Sequence, residues 1–352
     1  MTLCRQAVCW YNKNTSVYKE GYLLNIQGLI EKIHAVVDSH KLSEGVYCRW
    51  RWQDEKNSRQ LGVNEYGCAD AANILYTIGD FPREPEKRVK WVETLQKMQN
   101  PETGLFTEAT HHTIHTTAHC LAALELFDAQ PLYPLTALEK YLDPDALKEF
   151  LNGLDWDYTP WPTSHQGAGL YAAMAITRSC NADWQKTYFS WLREHADPST
   201  ALGLKDRRGD APLYCQLNGW FHYLFNHEYA RQPIPYPERV IDSCIDLYRK
   251  KQLSDNFNAE IGFKEIDWIF AMNRASRQTP HRFREVKNYL KDCADHFIPY
   301  MEGLDPDTDE GMNDLHMLFG AVCALAELQL ALPGYIETDV PMKIVLDRRP
   351  FI

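Results

Sequence analysis

The stretch NEYGCADAANILYTIG, residues 64–79, is rich in small and apolar residues but begins with polar ones. Five further stretches of the same kind begin at His111, Ser164, Ala211, Phe263 and Gly311. Successive copies start 47, 53, 47, 52 and 48 residues apart. A recurrence at a nearly fixed period is typical of proteins built from repeated structural units. The sequence therefore predicts six similar units.

A second kind of segment lies between these stretches, and in it apolar residues at i, i+3 and i+4 alternate with charged ones. Such segments occupy residues 21–40, 87–99, 145–154, 183–195, 238–250 and 281–293. The spacing predicts amphipathic helices with one buried stripe. Six charged helices that alternate with six small, apolar ones predict six hairpins with the apolar set inside. We therefore predict an all-α fold, an (α/α)6 toroid, as one domain over residues 1–352.

Three parts of the chain leave this pattern. Residues 1–20 are expected to form an irregular lead-in, and residues 333–352 an extended tail. Residues 46–52 alternate with period two, which is typical of a short β-strand or hairpin. Within that segment, Trp50 and Trp52 either cover an edge of the core or form an aromatic rim over a cleft.

Composition and charge exclude several classes of protein. The formal net charge is −11 and the chain has no extended basic stripe, so nucleic acid is not an expected partner. No apolar run is long enough to cross a bilayer, and the N-terminus lacks the pattern of a signal peptide. The ten cysteines are widely spaced without a CxxC pair, as in proteins that keep reduced thiols. We expect a cytoplasmic protein without a membrane partner or a cofactor; the sequence leaves the oligomeric state open.

Each predicted inner helix carries polar side chains on one face. Tyr66 and Asp70 share a face in the first of them, and His112, His115 and His119 share a face in the second. Buried polar groups cost roughly 1–3 kcal/mol each unless they are hydrogen-bonded. Six polar faces therefore predict a polar funnel along the axis of the ring. Its mouth should lie where the inner helices begin, because the longer loops gather there.

Carboxylates at this mouth are the candidates for catalysis. Asp70 lies one turn inside its helix on the polar face, and Asp267 and Asp314 lie near the starts of two other inner helices. Hydrolysis of a glycosidic bond needs one carboxylic acid and one carboxylate on opposite sides of the bond. Which two of these carboxylates face each other across the funnel depends on distances that the sequence leaves open. Acids in a first helical turn also occur simply because they complement the helix dipole.

Other polar and aromatic residues near the mouth suit sugar binding. The spacing of His111, His115 and His119 is compatible with metal ligation, but an HExxH motif and an acidic partner inside the cluster are absent. We expect these imidazoles to bind sugar hydroxyls and expect no metal. An arginine pair in a mouth loop would be able to clamp a uronic acid. The predicted substrate-binding residues are Trp50, Glu65, His111, His112, His115, Trp161, Arg207, Arg208, Asn313 and His316.

Six hairpins with polar inner faces resemble the α/α six-hairpin toroid superfamily. Its members include glycoside hydrolases, polysaccharide lyases and sugar epimerases and, with related topology, terpenoid cyclases and protein prenyltransferases. The segment VETLQKMQNPETGLF, residues 92–106, is similar to a repeat unit of the cyclase and prenyltransferase group. The DxDD motif of protonating cyclases is absent, as is a match to the prenyltransferase zinc ligands. The resemblance implies substrate entry at the N-terminal ends of the inner helices, with acidic residues performing the chemistry. It implies Asp70 with Asp267 or Asp314 as acid and base. It also implies contact of the substrate with the histidine cluster and with His165, Gln166 and Trp268.

Three functions follow from these expectations. The first is a glycoside hydrolase acting on short oligosaccharides, among them oligosaccharides that contain uronic acid. The second is a polysaccharide lyase or sugar epimerase in which His or Tyr is the base. The third is a toroid that binds without catalysis, or a protein of the prenyltransferase and cyclase type.

Overall fold

The computed structural model describes residues 23–53 and 59–352. The lead-in predicted for residues 1–20 lies outside the described residues. The described chain is predominantly helical and its strands are only two or three residues long, which confirms the predicted helical character. In the part of the chain that the structure describes, no helix is long and apolar enough to span a bilayer.

Six buried helices, numbered in chain order, carry the recurrent small-residue stretches. They are α2 (Glu65–Ile78), α4 (Thr113–Leu126), α6 (Pro160–Ile176), α8 (Leu213–Tyr229), α10 (Lys264–Ala275) and α13 (Leu315–Ala331). Each of these core helices packs against the next one in the set, and α13 packs against α2. The contacts between the core helices therefore form a closed series, in which the last core helix touches the first.

Helices with a single buried stripe alternate with the core helices along the chain. They are α1 (Gln27–Ser39), α3 (Pro85–Lys97), α5 (Pro144–Asn152), α7 (Ala182–His195), α9 (Pro237–Arg249) and α11 (Phe283–Gly303). In α9, for example, Val240, Cys244 and Leu247 are buried while charged residues face outward. Short helical turns at Thr136–Leu142, Glu310–Asn313 (α12) and Val345–Asp347 complete the helical content.

The few strands tie the ends of the chain to the helices. Strand β1 (Leu24–Asn25) pairs in parallel with β4 (Ile336–Glu337), and β2 (Lys41–Ser43) pairs in antiparallel fashion with β3 (Val46–Tyr47). Beyond β3 the chain crosses the start of α2 and reaches α13, where Trp50 forms an isolated bridge with Asp314. The segment predicted as β-like thus links the first and last core helices.

The last residues of the chain enter the space among the core helices. The buried Arg349 side chain donates hydrogen bonds to the side chain of Asn73 and to the carbonyl of Phe351. Asn226 Nδ2 donates to the Pro350 carbonyl at 3.0 Å. Phe351 and Ile352 are both buried. The segment predicted as an extended tail therefore begins on the outside at β4 and ends inside the core.

Local sequence explains where α2 begins and why the chain lies so close to it. The Asn64 side chain accepts hydrogen bonds from the amides of Tyr66 and Gly67, which makes it an N-cap, and the helix ends at Gly79 in the left-handed conformation. A Cβ atom on Gly67 would lie 2.4 Å from the carbonyl carbon of Cys48. Only glycine therefore lets the segment after β3 rest on this helix.

The close contact at Gly67 gives a test of this packing. We expect Gly67→Ala to lower the free energy of unfolding by about 1–3 kcal/mol, because the methyl group meets backbone atoms of residues 48 and 49. Gly28→Ala in α1 is the matched control, since a Cβ there meets no atom within 4 Å. Urea unfolding of both variants measures the difference. Equal stability of the two would contradict the close approach.

Candidate functional site

A cavity of about 250 Å³ lies where the core helices begin. Imidazoles dominate its wall, together with one cation and a few apolar side chains. The lining residues are Arg49, Thr110, His111, His112, His115, Trp161, Pro162, His165, His222, Phe263, His316, Met317 and Ile352. A larger cavity of about 590 Å³ lies between α9 and α11 and contains none of the predicted site residues. We therefore take the histidine-lined cavity as the candidate site.

Asp70, on α2, is held between two histidines beneath this cavity. Its Oδ1 accepts a hydrogen bond from Nε2 of His119 at 2.7 Å, and its Oδ2 accepts one from Nδ1 of His316 at 3.2 Å. All three side chains are buried. Burial alone would raise the pKa of Asp70, but the two histidines outweigh it and hold the pKa below its usual range. Asp70 is therefore a carboxylate that can only accept hydrogen bonds.

The carboxylate of Asp70 fixes the protonation pattern of His316. Because an ionised Asp70 donates nothing, His316 must carry its proton on Nδ1, and its Nε2 then has a free lone pair. The ring lines the cavity, and no described residue hydrogen-bonds to Nε2. Burial lowers the pKa of His316 to about 4, although Asp70 opposes this. His316 is thus a neutral imidazole with a basic nitrogen available to a ligand.

His115, on α4, has the opposite arrangement. The hydroxyl of Tyr66 lies 2.6 Å from its Nδ1. Burial raises the pKa of Tyr66 and lowers that of His115, so a phenol faces a neutral imidazole. We assign the phenol as the donor, which leaves the His115 proton on Nε2. The rings of His115 and His316 are 6.2 Å apart at an interplanar angle of 88°. One cavity therefore holds an imidazole donor and an imidazole acceptor.

The remaining imidazoles pack around these two. His111 stacks on the Tyr66 ring with centroids 4.4 Å apart, and His165 lies between His115 at 4.3 Å and His222 at 4.6 Å. Burial lowers the pKa of His165 well below its ordinary value and that of His222 to about 3. The polar groups of the wall are therefore largely uncharged, and they lie among apolar side chains that supply most of its surface.

Asp70, His119 and His316 are close enough to be considered as metal ligands. Their donor atoms all lie within 4.8 Å of one another. If a metal occupied Nε2 of His119, the proton of that ring would move to Nδ1, which is buried without a hydrogen-bond partner among the described residues. Metal-bound histidines normally donate this second N–H to an acceptor. The cluster therefore fits a hydrogen-bonded relay better than a metal site.

Asp314 forms an ion pair at the edge of the cavity. Arg49 donates from Nε to its Oδ1 at 2.8 Å and from Nη2 to its Oδ2 at 3.0 Å. The same Oδ1 accepts from the backbone amide of His316, so Asp314 also caps α13. Arg49 holds the pKa of Asp314 below its usual value despite burial. Both oxygens of this predicted catalytic residue are therefore occupied.

Asp267, the third predicted catalytic carboxylate, is buried on α10 and does not line the cavity. Neither of its oxygens has a hydrogen-bond partner among the described residues. Burial, with a smaller contribution from Glu265, raises its pKa well above the usual value. Asp267 is therefore a neutral acid in the core.

Several predicted substrate-binding residues lie away from the cavity wall. Trp268 packs outward onto α9, where its ring stacks on Tyr248 and its Nε1 donates to the Cys244 carbonyl at 3.0 Å. Asn313 and Trp50 belong to the link between the segment after β3 and α13. The other predicted residues outside the wall are Glu65, Gln166, Arg207 and Arg208.

The structure brings together the predicted residues His111, His112, His115, Trp161, His165 and His316. It adds lining residues that sequence reasoning did not choose: Arg49, Thr110, His222, Phe263 and Ile352. His222 follows the polar pattern of α8 and was therefore open to prediction. Ile352 is far from the rest in sequence, and no pattern in the chain indicates its position.

No protein-family model, no curated protein and no solved structure shows a significant match to this chain. The assignment of the site therefore rests on its geometry.

Glu265, close to Asp267 on α10, provides a test of the electrostatics of the core. Burial raises its pKa from 4.5 to about 7. Because the unfolded chain loses this proton at lower pH than the folded one, the carboxyl destabilises the fold progressively between pH 4.5 and 7. We expect the free energy of unfolding of Glu265→Gln, relative to that of wild type, to increase by on the order of 3 kcal/mol as the pH rises between these values.

Urea unfolding at pH 4.5 and at pH 8 measures this gain. Exposed Glu149 gives the matched control, since Glu149→Gln should show no comparable dependence on pH. A constant difference between Glu265→Gln and wild type at both pH values would contradict the raised pKa.

Proposed function

We propose that the chain is an (α/α)6 toroid that isomerises or epimerises a sugar, with His316 as base and His115 as acid. The toroid is supported by the closed series of contacts among the core helices and by their alternation with outer helices. The chemistry is supported chiefly by one observation: two neutral histidines with opposite protonation patterns face one cavity. Its volume of about 250 Å³ suits a ligand of monosaccharide size, since it lies near the lower end of known ligand pockets.

The proposed reaction consists of two coupled proton transfers, one at carbon and one at oxygen. His316 Nε2 takes a proton from the carbon next to the carbonyl of an open-chain sugar, and the C–H electron pair forms the double bond of an enediol. The carbonyl oxygen receives the proton of His115 Nε2, which leaves an imidazolate whose Nδ1 accepts the hydrogen bond of the Tyr66 hydroxyl. In the second half of the reaction one enediol oxygen returns its proton to His115, and His316 gives its proton to a carbon of the double bond. Protonation of the neighbouring carbon gives the isomer, and protonation of the original carbon on its opposite face gives the epimer. The product therefore has the same atoms as the substrate and no redox partner is needed.

Asp70 has a positioning role in this proposal. It holds the Nδ1 proton of His316, so the lone pair stays on the nitrogen that faces the ligand. When His316 becomes protonated, the adjacent carboxylate also stabilises the imidazolium. The buried His119 holds the second oxygen of Asp70 and so fixes the orientation of the carboxylate.

The geometry favours this reaction over the hydrolysis predicted from sequence. A glycosidase needs two carboxyl groups that reach the glycosidic bond. Both oxygens of Asp70 and both oxygens of Asp314 are already bound by protein side chains, and Asp267 does not line the cavity. Imidazoles, in contrast, present free nitrogens to the cavity.

Incorporation of solvent deuterium tests the proposal. Aldoses and ketoses are incubated with the protein in D2O, and NMR follows loss of the C–H signal next to the carbonyl. We expect exchange at that carbon together with formation of an isomer or epimer. Release of an aglycone from chromogenic glycosides without exchange would favour the hydrolase. Ligand binding without either reaction would favour a binding protein.

Two variants locate the chemistry. We expect Asp70→Asn to lower kcat for exchange by about 10²–10⁴-fold, because its amide would donate to His316 and move the ring proton to the cavity side. His316→Gln should abolish exchange while leaving the fold intact by circular dichroism. The exposed His296→Gln is the control and should keep full activity. Full activity in Asp70→Asn would exclude the proposed relay.

The pH dependence of the reaction provides a separate test. Since the base must be deprotonated, kcat/KM should rise with pH through about 4, the pKa of His316, and stay level from about 5.5 to 7.5. Initial rates in overlapping buffers measure this profile. Recovery of activity after return to pH 7 controls for acid unfolding. A midpoint near 6.5, the ordinary histidine value, would show that burial does not tune this base.

A further inference from the structure

The charges around the cavity are unequal. Among the described residues that line the cavity, Arg49 is the only one with a permanently charged side chain. The others are imidazoles or uncharged groups. Three carboxylates lie one hydrogen bond behind the wall: Asp314 behind Arg49, Glu108 behind Thr110, and Asp70 behind His316. Since the histidines are held neutral by burial, the surroundings of the cavity carry more negative than positive charge.

The single cation of the wall is already paired within the protein. Two nitrogens of Arg49 bind the Asp314 carboxylate, and the third, Nη1, donates to Thr110 Oγ1 at 2.8 Å. Nη1 is also 3.9 Å from Glu108 Oε2. Three of the five N–H groups of the guanidinium are thus engaged by the protein, and its positive charge is offset by two carboxylate neighbours.

We infer that the cavity accepts an uncharged sugar and rejects sugar acids such as uronates. This inference rests on the proposed function and narrows its substrate class. A uronate would bring a fourth carboxylate beside Asp70, Asp314 and Glu108, while the positive charge of Arg49 is already offset by Asp314 and Glu108. The arginines that a uronate was expected to use, Arg207 and Arg208, are absent from the wall of the cavity.

An uncharged sugar fits the same wall. Its hydroxyls both donate and accept hydrogen bonds, so they can pair with the neutral nitrogens of His111, His165 and His222. Its C–H faces can pack on the apolar side chains of Phe263 and Ile352. Neither interaction requires a charge on the ligand.

Matched sugar pairs test the inference with the full chain. Glucose is compared with glucuronate, and galactose with galacturonate, by saturation-transfer NMR for binding and by deuterium exchange for reaction. We expect each neutral sugar to bind at least about tenfold more tightly than its uronate. Equal or tighter binding of the uronates would overturn the inference. Binding of the neutral sugars without any exchange would count against the proposed function while supporting the substrate class.

A charge variant tests the physical cause. Glu108→Gln removes one negative charge near Arg49 but keeps an oxygen that can accept from Thr110. We expect this variant to narrow the preference for glucose over glucuronate severalfold. Glu102→Gln, at an exposed position of the same loop, is the control and should leave the preference unchanged. An unchanged preference in Glu108→Gln would overturn the charge argument.

Discussion

The burial of Asp70 between His119 and His316 is the constraint on which the rest of the site depends. A lone carboxylate at this depth would take up a proton, because burial opposes its charge. Two imidazoles donate to it instead and keep it ionised. The three residues come from α2, α4 and α13, so this contact also joins the first, second and last core helices. The same interaction thus fixes a protonation pattern and helps to close the ring.

The segment after β3 and the C-terminal residues complete this arrangement. After β3, the chain rests on Gly67 and carries Arg49 to Asp314, where the ion pair closes one side of the cavity. The C-terminal residues enter among the core helices and place Ile352 in the wall. Both segments bury polar groups of the site, and burial strengthens the electrostatic interactions among these groups.

Histidine is the most frequent residue in the cavity wall, and it suits this place for two reasons. Burial keeps its ring neutral, and a hydrogen bond to one ring nitrogen decides whether the other nitrogen donates or accepts. Tyr66 determines which nitrogen of His115 is protonated, and Asp70 does the same for His316. The two rings differ in which nitrogen carries the proton. Carboxylates act one layer further out, where they orient these rings and bind Arg49. Acidic residues thus shape the site without occupying its surface.

The sequence by itself determined the helices, because each inner stretch repeats small residues on several faces and each outer stretch has one apolar stripe. It also identified the histidines of α4 and the polar position of Asp70, since helical spacing places them on one face. Only the tertiary structure decided which carboxylates are free of protein hydrogen bonds, because Arg49 and Asp314 pair although they are far apart in the sequence. It likewise placed Trp268 outside the cavity and Ile352 within its wall. Such contacts depend on how helices pack and where loops return, which local periodicity does not encode.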